Sequence, residues 1–293
     1  MINYSIIIPH KNTQDLLERC LDSIPLRSDC EIIIIDDNSS STIVDFTNFP
    51  GLKRKDTTVI FSKECKGAGF CRNIGVSRSK GKWLIFADAD DYFSDKISTV
   101  LDKYANDEKH GAIFLNACIV DENSLIHPFI QNRLIENYLH NKKYSEDILK
   151  YQVWTPWSRM IKRDIIINNN ILFEETKIAN DAFFILNATS HIKTMDAVKD
   201  IIYFYYKPSQ GSLTDKFYDN SIPLFRLELK LRVNRFYKVQ GYPYHWPIQR
   251  EIHLLGVKRN QEVNALLRKY DYDIIDDIIY TVKYFYSKLI KRL

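Results

Sequence analysis

No apolar run in the sequence approaches the ~20 residues that cross a bilayer. The opening "MINYSIIIPH" has no basic n-region and no long apolar h-region. These two absences predict a chain that is neither secreted nor transmembrane and works in the cytoplasm. Cysteine is scarce: Cys20, Cys30, Cys65, Cys71 and Cys118 fall at no metal-ligand spacing, and their odd number argues against a disulfide framework. Reduced thiols are expected. Internal repeats and low-complexity tracts are also missing, which leaves an ordinary globular chain.

What remains is enough to build a core. With 293 residues and 45% hydrophobic content, the chain suits one large domain or two small ones. Net charge is only +4, but it is unevenly spread. Residues 215–293 carry 15 Lys and Arg against 9 Asp and Glu, and residues 1–214 carry 26 against 28. The basic tail interleaves aromatics with cations, as in "RVNRFYKVQGYPYHWPIQR", so either an anionic neighbour or a solvated helical face fits.

The first half alternates strand and helix. "YSIIIP" and "EIIIIDD" are short apolar runs of the kind buried on both faces of a sheet, and "TQDLLERCLDSI" between them has helical spacing. "TTVIF", a helix over about 69–79, "KWLIFAD", a helix over about 94–104 and "GAIFLNACIV" continue the pattern. This predicts βαβ units and a mainly parallel sheet, with ligands outside the carboxyl ends of the strands. After residue 120 the pattern loosens. "VWTPWSRMIKRDIIINNNILF" reads as a basic helix with an Asn-rich stop, "NDAFFILNATSH" as an amphipathic helix and "AVKDIIYFYYK" as a late strand, together covering one sheet edge. From about residue 217 the chain reads as helical. Its end places Ile274, Ile275, Ile278, Ile279, Val282, Phe285 and Leu289 on one apolar face.

Two predicted strands end in acid. "EIIIIDD" stops at Asp36 and Asp37, and "WLIFADADD" stops at Asp88, Asp90 and Asp91, so both clusters belong at one rim. Asp before a helix is a common cap. Three carboxylates in four residues, however, repel one another unless a cation sits among them.

In order, "SIIIPHKN", "IIIIDDNSS", "GAGFCRNIG", "KGKWLIFADADDYF" and "NDAFF" resemble the motif series of inverting family 2 glycosyltransferases with the GT-A fold. The resemblance covers about residues 5–214. It implies an α/β GT-A domain over 1–214, with a nucleotide-sugar half to about 120 and an acceptor half beyond, followed by a helical region over 215–293. It also implies a nucleotide-sugar donor, a divalent cation (Mn2+ or Mg2+) and a saccharide or lipid-linked acceptor in bacterial surface-polysaccharide synthesis. No nucleic-acid partner is expected.

By the same resemblance, Asp88-Ala89-Asp90 is the DXD motif: Asp90 contacts the metal, Asp88 the ribose or the metal, and Asp91 stands behind them. Asp37 accepts a hydrogen bond from the base, typically the ring N–H of uracil, while Asp36 reads equally well as a turn cap. The backbone at Ile8 and Pro9 lines the pocket, and Lys11 stands where relatives more often carry Tyr. Lys66, Gly67 and Arg72 lie in a Gly-rich loop beside the nucleotide, where a buried salt bridge is an equal reading for Arg72. Asp181 is the general base, although Asp is also an ordinary helix start. Trp157 is expected as an acceptor-site wall, with a core position as the alternative.

Three rival classes fit less well. A dinucleotide fingerprint needs glycine where Arg72 stands. An EF-hand loop from Asp88 needs Gly and Glu where Phe93 and Thr99 stand. A DxD-type phosphatase, or a nucleotide-sugar hydrolase, would use Asp88 as nucleophile and Asp90 as acid. Phosphatases of that type carry the motif on the first strand, with a small hydroxyl residue soon after the second Asp. The basic C-terminal helix, with Lys288, Lys291 and Arg292, is expected to touch the inner membrane face, to pack on the domain or to pair with a second copy.

Overall fold

A computed structural model describes residues 1–208, 222–242, 244–256 and 260–272, together with 275, 278 and 282. The isoleucine-rich runs form the middle of a sheet. Strand β1 (Tyr4–His10) is buried at every position and pairs in parallel with β2 (Cys30–Asp37) and β4 (Trp83–Phe86). On the far side of β2, β3 (Thr57–Ser62) adds a further parallel strand. Alternate residues serve opposite faces, as strand geometry requires. Ile6, Ile8, Ile32, Ile34 and Ile85 enter one core cluster, and Ile7, Ile33, Ile35, Leu84 and Phe86 enter another. Each fully buried side chain of this size contributes about 1.5–3 kcal/mol.

Helix α1 (Gln14–Asp22) buries Leu17, Cys20 and Leu21. Helices α2 (Ala68–Arg78) and α3 (Ile97–Tyr104) lie close to the spans expected for them. Because β1, β2 and β4 run in parallel, Pro9, Asp37 and the segment that begins at Asp88 come to one rim.

The second half of this unit departs from expectation. Strand β8 (Arg159–Lys162) lies in the stretch read as a basic helix, and it inserts antiparallel between β4 and β6 (Ala112–Val120). Only the six residues of α6 (Arg163–Asn168) after it are helical. A four-residue strand flanked on both sides has no room to show a period, so a helical pattern borrowed from its neighbours concealed it. Strand β9 (Met195–Tyr206) pairs in parallel with β6 and carries the short β5 (Tyr92–Phe93) on its other side, while β7 (Ile126–Pro128) pairs with β6. The sheet order is β3-β2-β1-β4-β8-β6-β9-β5, so these later elements extend the sheet rather than cover its edge. Helices α4 (Ile130–His140) and α5 (Lys142–Gln152) had no counterpart in the sequence reading, and α7 (Ala182–Ser190) occupies the amphipathic stretch.

The chain divides into two compact units, residues 1–210 and 211–293. In the second, α8 (Pro223–Val239), α9 (Gln249–Leu255) and α10 (Asn260–Lys269) enclose Leu227, Leu231, Ile248, Leu255, Val263 and Leu267. Buried Glu251 accepts from Arg226 at 3.3 Å and from Lys230 at 2.7 Å. Of the expected apolar terminal face, Ile275, Ile278 and Val282 are helical and more than half exposed. Ile274, Ile279, Phe285 and Leu289, with Lys288, Lys291 and Arg292, lie outside the described residues. Among the described residues no helix is long and apolar enough to cross a membrane.

Candidate active site

The two aspartates ending β2 have different surroundings. Asp36 accepts from the Ser39 amide at 2.9 Å, lies 2.5 Å from the Ser39 hydroxyl and pairs with His10 Nδ1 at 2.8 Å. Burial alone would raise its pKa, but these hydrogen bonds hold it below the usual carboxylate range. Asp36 is thus bound into the turn. Asp37 is only half satisfied: Oδ2 accepts from the Gly67 amide at 3.0 Å and sits 3.5 Å from Lys11 Nζ, whereas Oδ1 is buried and accepts no hydrogen bond. A buried acceptor left unmet costs about 1–3 kcal/mol. Pro9 is buried on β1, in register with Ile35. Lys11 also donates to the Cys65 thiol at 2.7 Å.

The Gly-rich loop wraps over this corner. Gly67 has φ +91°, a left-handed conformation that glycine adopts without strain. Gly69 is required by space: a Cβ there would lie 2.2 Å from the Glu174 carbonyl oxygen. Lys66 is half exposed, 3.2 Å from Glu64 and 4.9 Å over the Phe70 ring.

At the end of β4 the three carboxylates divide their tasks. Asp91 is fully buried, accepting from the Tyr203 hydroxyl at 2.7 Å and from the Tyr206 amide at 2.7 Å. The Tyr203 hydroxyl also accepts the Asp88 amide at 2.9 Å, so Asp91 anchors the turn through this tyrosine. Arg19 reaches the Asp90 carbonyl at 2.6 Å, lying 4.8 Å from the Tyr92 ring and 4.9 Å from that of Tyr206. Asp88 and Asp90 are only partly exposed. Burial, then the Asp88 charge, pushes Asp90 up to about 6.

Arg72 joins this rim to the start of α7. Its guanidinium, buried against Phe173, donates to Asp88 Oδ1 at 2.6 Å and to Asn180 Oδ1 at 2.9 Å. Ala179, just before Asn180, has φ +54°, a conformation costly for a residue with a Cβ and found where surroundings enforce it. Asp181 follows. It stands at the N-cap position of α7, as the helix-start reading expects, and its side chain makes no capping bond there. Burial pushes its pKa up to about 6, against the opposing pull of Arg72.

Trp157 is 3% exposed, and its ring stacks on Tyr203 at 4.8 Å and Tyr205 at 5.6 Å. It is a core residue, which is the alternative the sequence offered for it. Sequence reasoning missed Tyr203, Arg19 and Phe173, whose partners lie on distant parts of the chain and leave no local signal. Asn180 was visible only as part of a motif.

Comparison with solved structures shows the fold. Staphylococcus aureus TarS 1–349 in complex with UDP-GlcNAc superposes with a TM-score of 0.67 over 92% of this chain and 80% of that one, at 16% identity. Mannosyltransferase PcManGT from Pyrobaculum calidifontis, in complex with GDP-Man and Mn2+, gives 0.55 over 91% and 74%, also at 16%. The fold is therefore that of the GT-A glycosyltransferases. The Glycosyl transferase family 2 profile matches residues 5–168, and the chain belongs to that family. Among curated relatives, the uncharacterized glycosyltransferase EpsJ of Bacillus subtilis is 24% identical over 72% of this chain, and the match covers 62% of EpsJ. A poly(ribitol-phosphate) beta-glucosyltransferase of Bacillus spizizenii is 27% identical over 71% of this chain, with 32% of its own length covered.

Proposed function

We propose that this chain transfers a sugar, with inversion, from a nucleoside-diphosphate sugar to an acceptor hydroxyl on a glycan or lipid-linked saccharide in bacterial surface-polysaccharide synthesis. The observation that carries the reading is the Arg72 bridge. It ties the acidic end of β4 to the Asn180–Asp181 turn, so donor-side and acceptor-side groups share one electrostatic unit.

A UDP-linked donor suits Asp37, whose unmet buried oxygen matches a base ring N–H. Pro9 and Gly67 bound the same corner, and Lys66 and Arg72 are the cations at hand for phosphate. Asp88 and Asp90 fit a divalent ion of the Mg2+ or Mn2+ type, which uses one or two carboxylates plus substrate phosphates. Asp91 has both oxygens engaged, which leaves Asp88 and Asp90 as the carboxylates for the ion. When bound, such an ion neutralises charge on the departing diphosphate. Asp181, uncapped and with a pKa raised toward neutrality, takes the acceptor proton as general base. Arg72 holds Asp88 and Asn180 in place and keeps Asp181 ionised near pH 7.

Two substitutions separate these roles. Asp181→Asn should leave nucleotide affinity intact while lowering turnover by about 10²–10⁴-fold. Asp37→Ala should chiefly weaken UDP binding by calorimetry. Equal loss of binding in both would refute the assignment.

We place the work at the inner membrane surface. The basic excess of residues 215–293 and the exposed Ile275, Ile278 and Val282 support peripheral contact with anionic lipid.

A further inference from the structure

The second unit contains a cleft lined by residues outside the family-model match. It measures about 310 Å3 and is lined by Tyr242, Tyr244, Tyr270, Tyr272, His245 and Arg235, with Asn234, Lys238 and Asp271 beside them. Its walls are fixed in advance. Buried Asn234 accepts the Trp246 amide at 2.7 Å, donates to the Trp246 carbonyl at 2.9 Å and lies 3.2 Å from His245 Nε2. The Tyr272 hydroxyl is 2.5 Å from the same nitrogen. Tyr244 stacks on buried Tyr242 at 4.5 Å, and Tyr242 packs on Tyr237 at 5.0 Å.

Arg235 and Lys238 stand one turn apart on α8, a spacing that puts them on one face, and both are exposed. Among the described residues Arg235 makes no ion pair, and Asp271 is the one acidic group in the lining. A cleft at the small end of the ligand-site range, with rigid aromatic walls and a cationic rim, matches a ring bearing C–H faces and one anionic substituent. Arginine pairs with phosphate through two parallel N–H bonds. Pre-ordered walls lower the entropy lost on binding.

We propose that this cleft binds a phosphate-bearing saccharide, with the sugar ring laid against Tyr244 and the phosphate held by Arg235 and Lys238. The proposal does not depend on the reading of the donor pocket.

Saturation-transfer NMR on the full chain, with UDP in excess to fill the donor pocket, tests this with four probes. Glucose 1-phosphate should show strong transfer to its ring protons. Glucose tests the sugar without charge and dodecyl phosphate a lipid anion without sugar, both by the same transfer; inorganic phosphate, which has no C–H protons, tests the charge without sugar by its displacement of glucose 1-phosphate, and all three should bind more weakly. The double variant Arg235→Ala/Lys238→Ala should lose glucose 1-phosphate affinity by about tenfold or more, and Tyr244→Ala should lose ring-proton transfer. Unchanged UDP binding in each variant verifies that the first unit is intact. Affinity unaffected by both variants would overturn the proposal. So would dodecyl or inorganic phosphate binding as tightly as glucose 1-phosphate.

Discussion

Replacing Arg72 by methionine removes the cation that links Asp88 to Asn180 while keeping much of the side chain's bulk. The Arg72 side chain is 7% exposed and that of Asp88 28%. Breaking a fully buried pair by deleting one partner costs about 3–5 kcal/mol. Asp88 reaches water, so a cost of about 1–3 kcal/mol is expected. For a unit of this size that lowers Tm by roughly 2–12 °C.

The pH profile is the more specific readout. Arg72 pulls the pKa values of Asp181 and Asp90 down from where burial would put them. A general base works ionised, so the acid limb of kcat/KM should lie near pH 6 in the wild type and move to higher pH in Arg72→Met. Arg72→Lys keeps the charge and should restore most of the limb position while losing the two-pronged bond. Profiles between pH 5 and 9 on UDP-sugar turnover decide the matter. A folded variant with an unmoved acid limb would refute the electrostatic link, and an unchanged Tm would refute the stability argument.

Gly69→Ala should destabilise the first unit by about 1–3 kcal/mol in urea unfolding, because its Cβ would meet the rigid Glu174 carbonyl. Liposome sedimentation should show binding to anionic vesicles that falls with salt and with serine at Ile275, Ile278 and Val282, since each surface-near cation adds about 1 kcal/mol. No binding at low salt would remove the membrane proposal.

The parallel half of the fold was legible because β1, β2 and β4 are continuous apolar runs, buried on both faces and separated by helices with clear spacing. Their acidic ends followed from strand direction alone. Strand β8 was not legible: its identity as a strand comes from β4 and β6, which flank it from distant parts of the chain. The same limit applied to side chains. Asp37 and Asp88 announced themselves as carboxylates at strand ends. That Asp91 is bound by Tyr203, 112 residues away, and that Asp88 already faces a guanidinium depended on tertiary contacts. Trp157 was misplaced for the converse reason, since tryptophan suits a sugar platform and a core equally well until its neighbours are known.

The central claim is that the β4 acidic end and Asp181 form one glycosyl-transfer centre. Its most direct test is product analysis after incubating the protein with a panel of UDP- and GDP-sugars, Mn2+ and a saccharide acceptor. The account predicts release of the intact nucleoside diphosphate, loss of turnover in Asp181→Asn and in Asp90→Ala, and sugar joined to the acceptor with inverted anomeric configuration. Release of inorganic phosphate, or turnover undiminished in Asp181→Asn, would contradict it and point to a hydrolase built on Asp88 and Asp90.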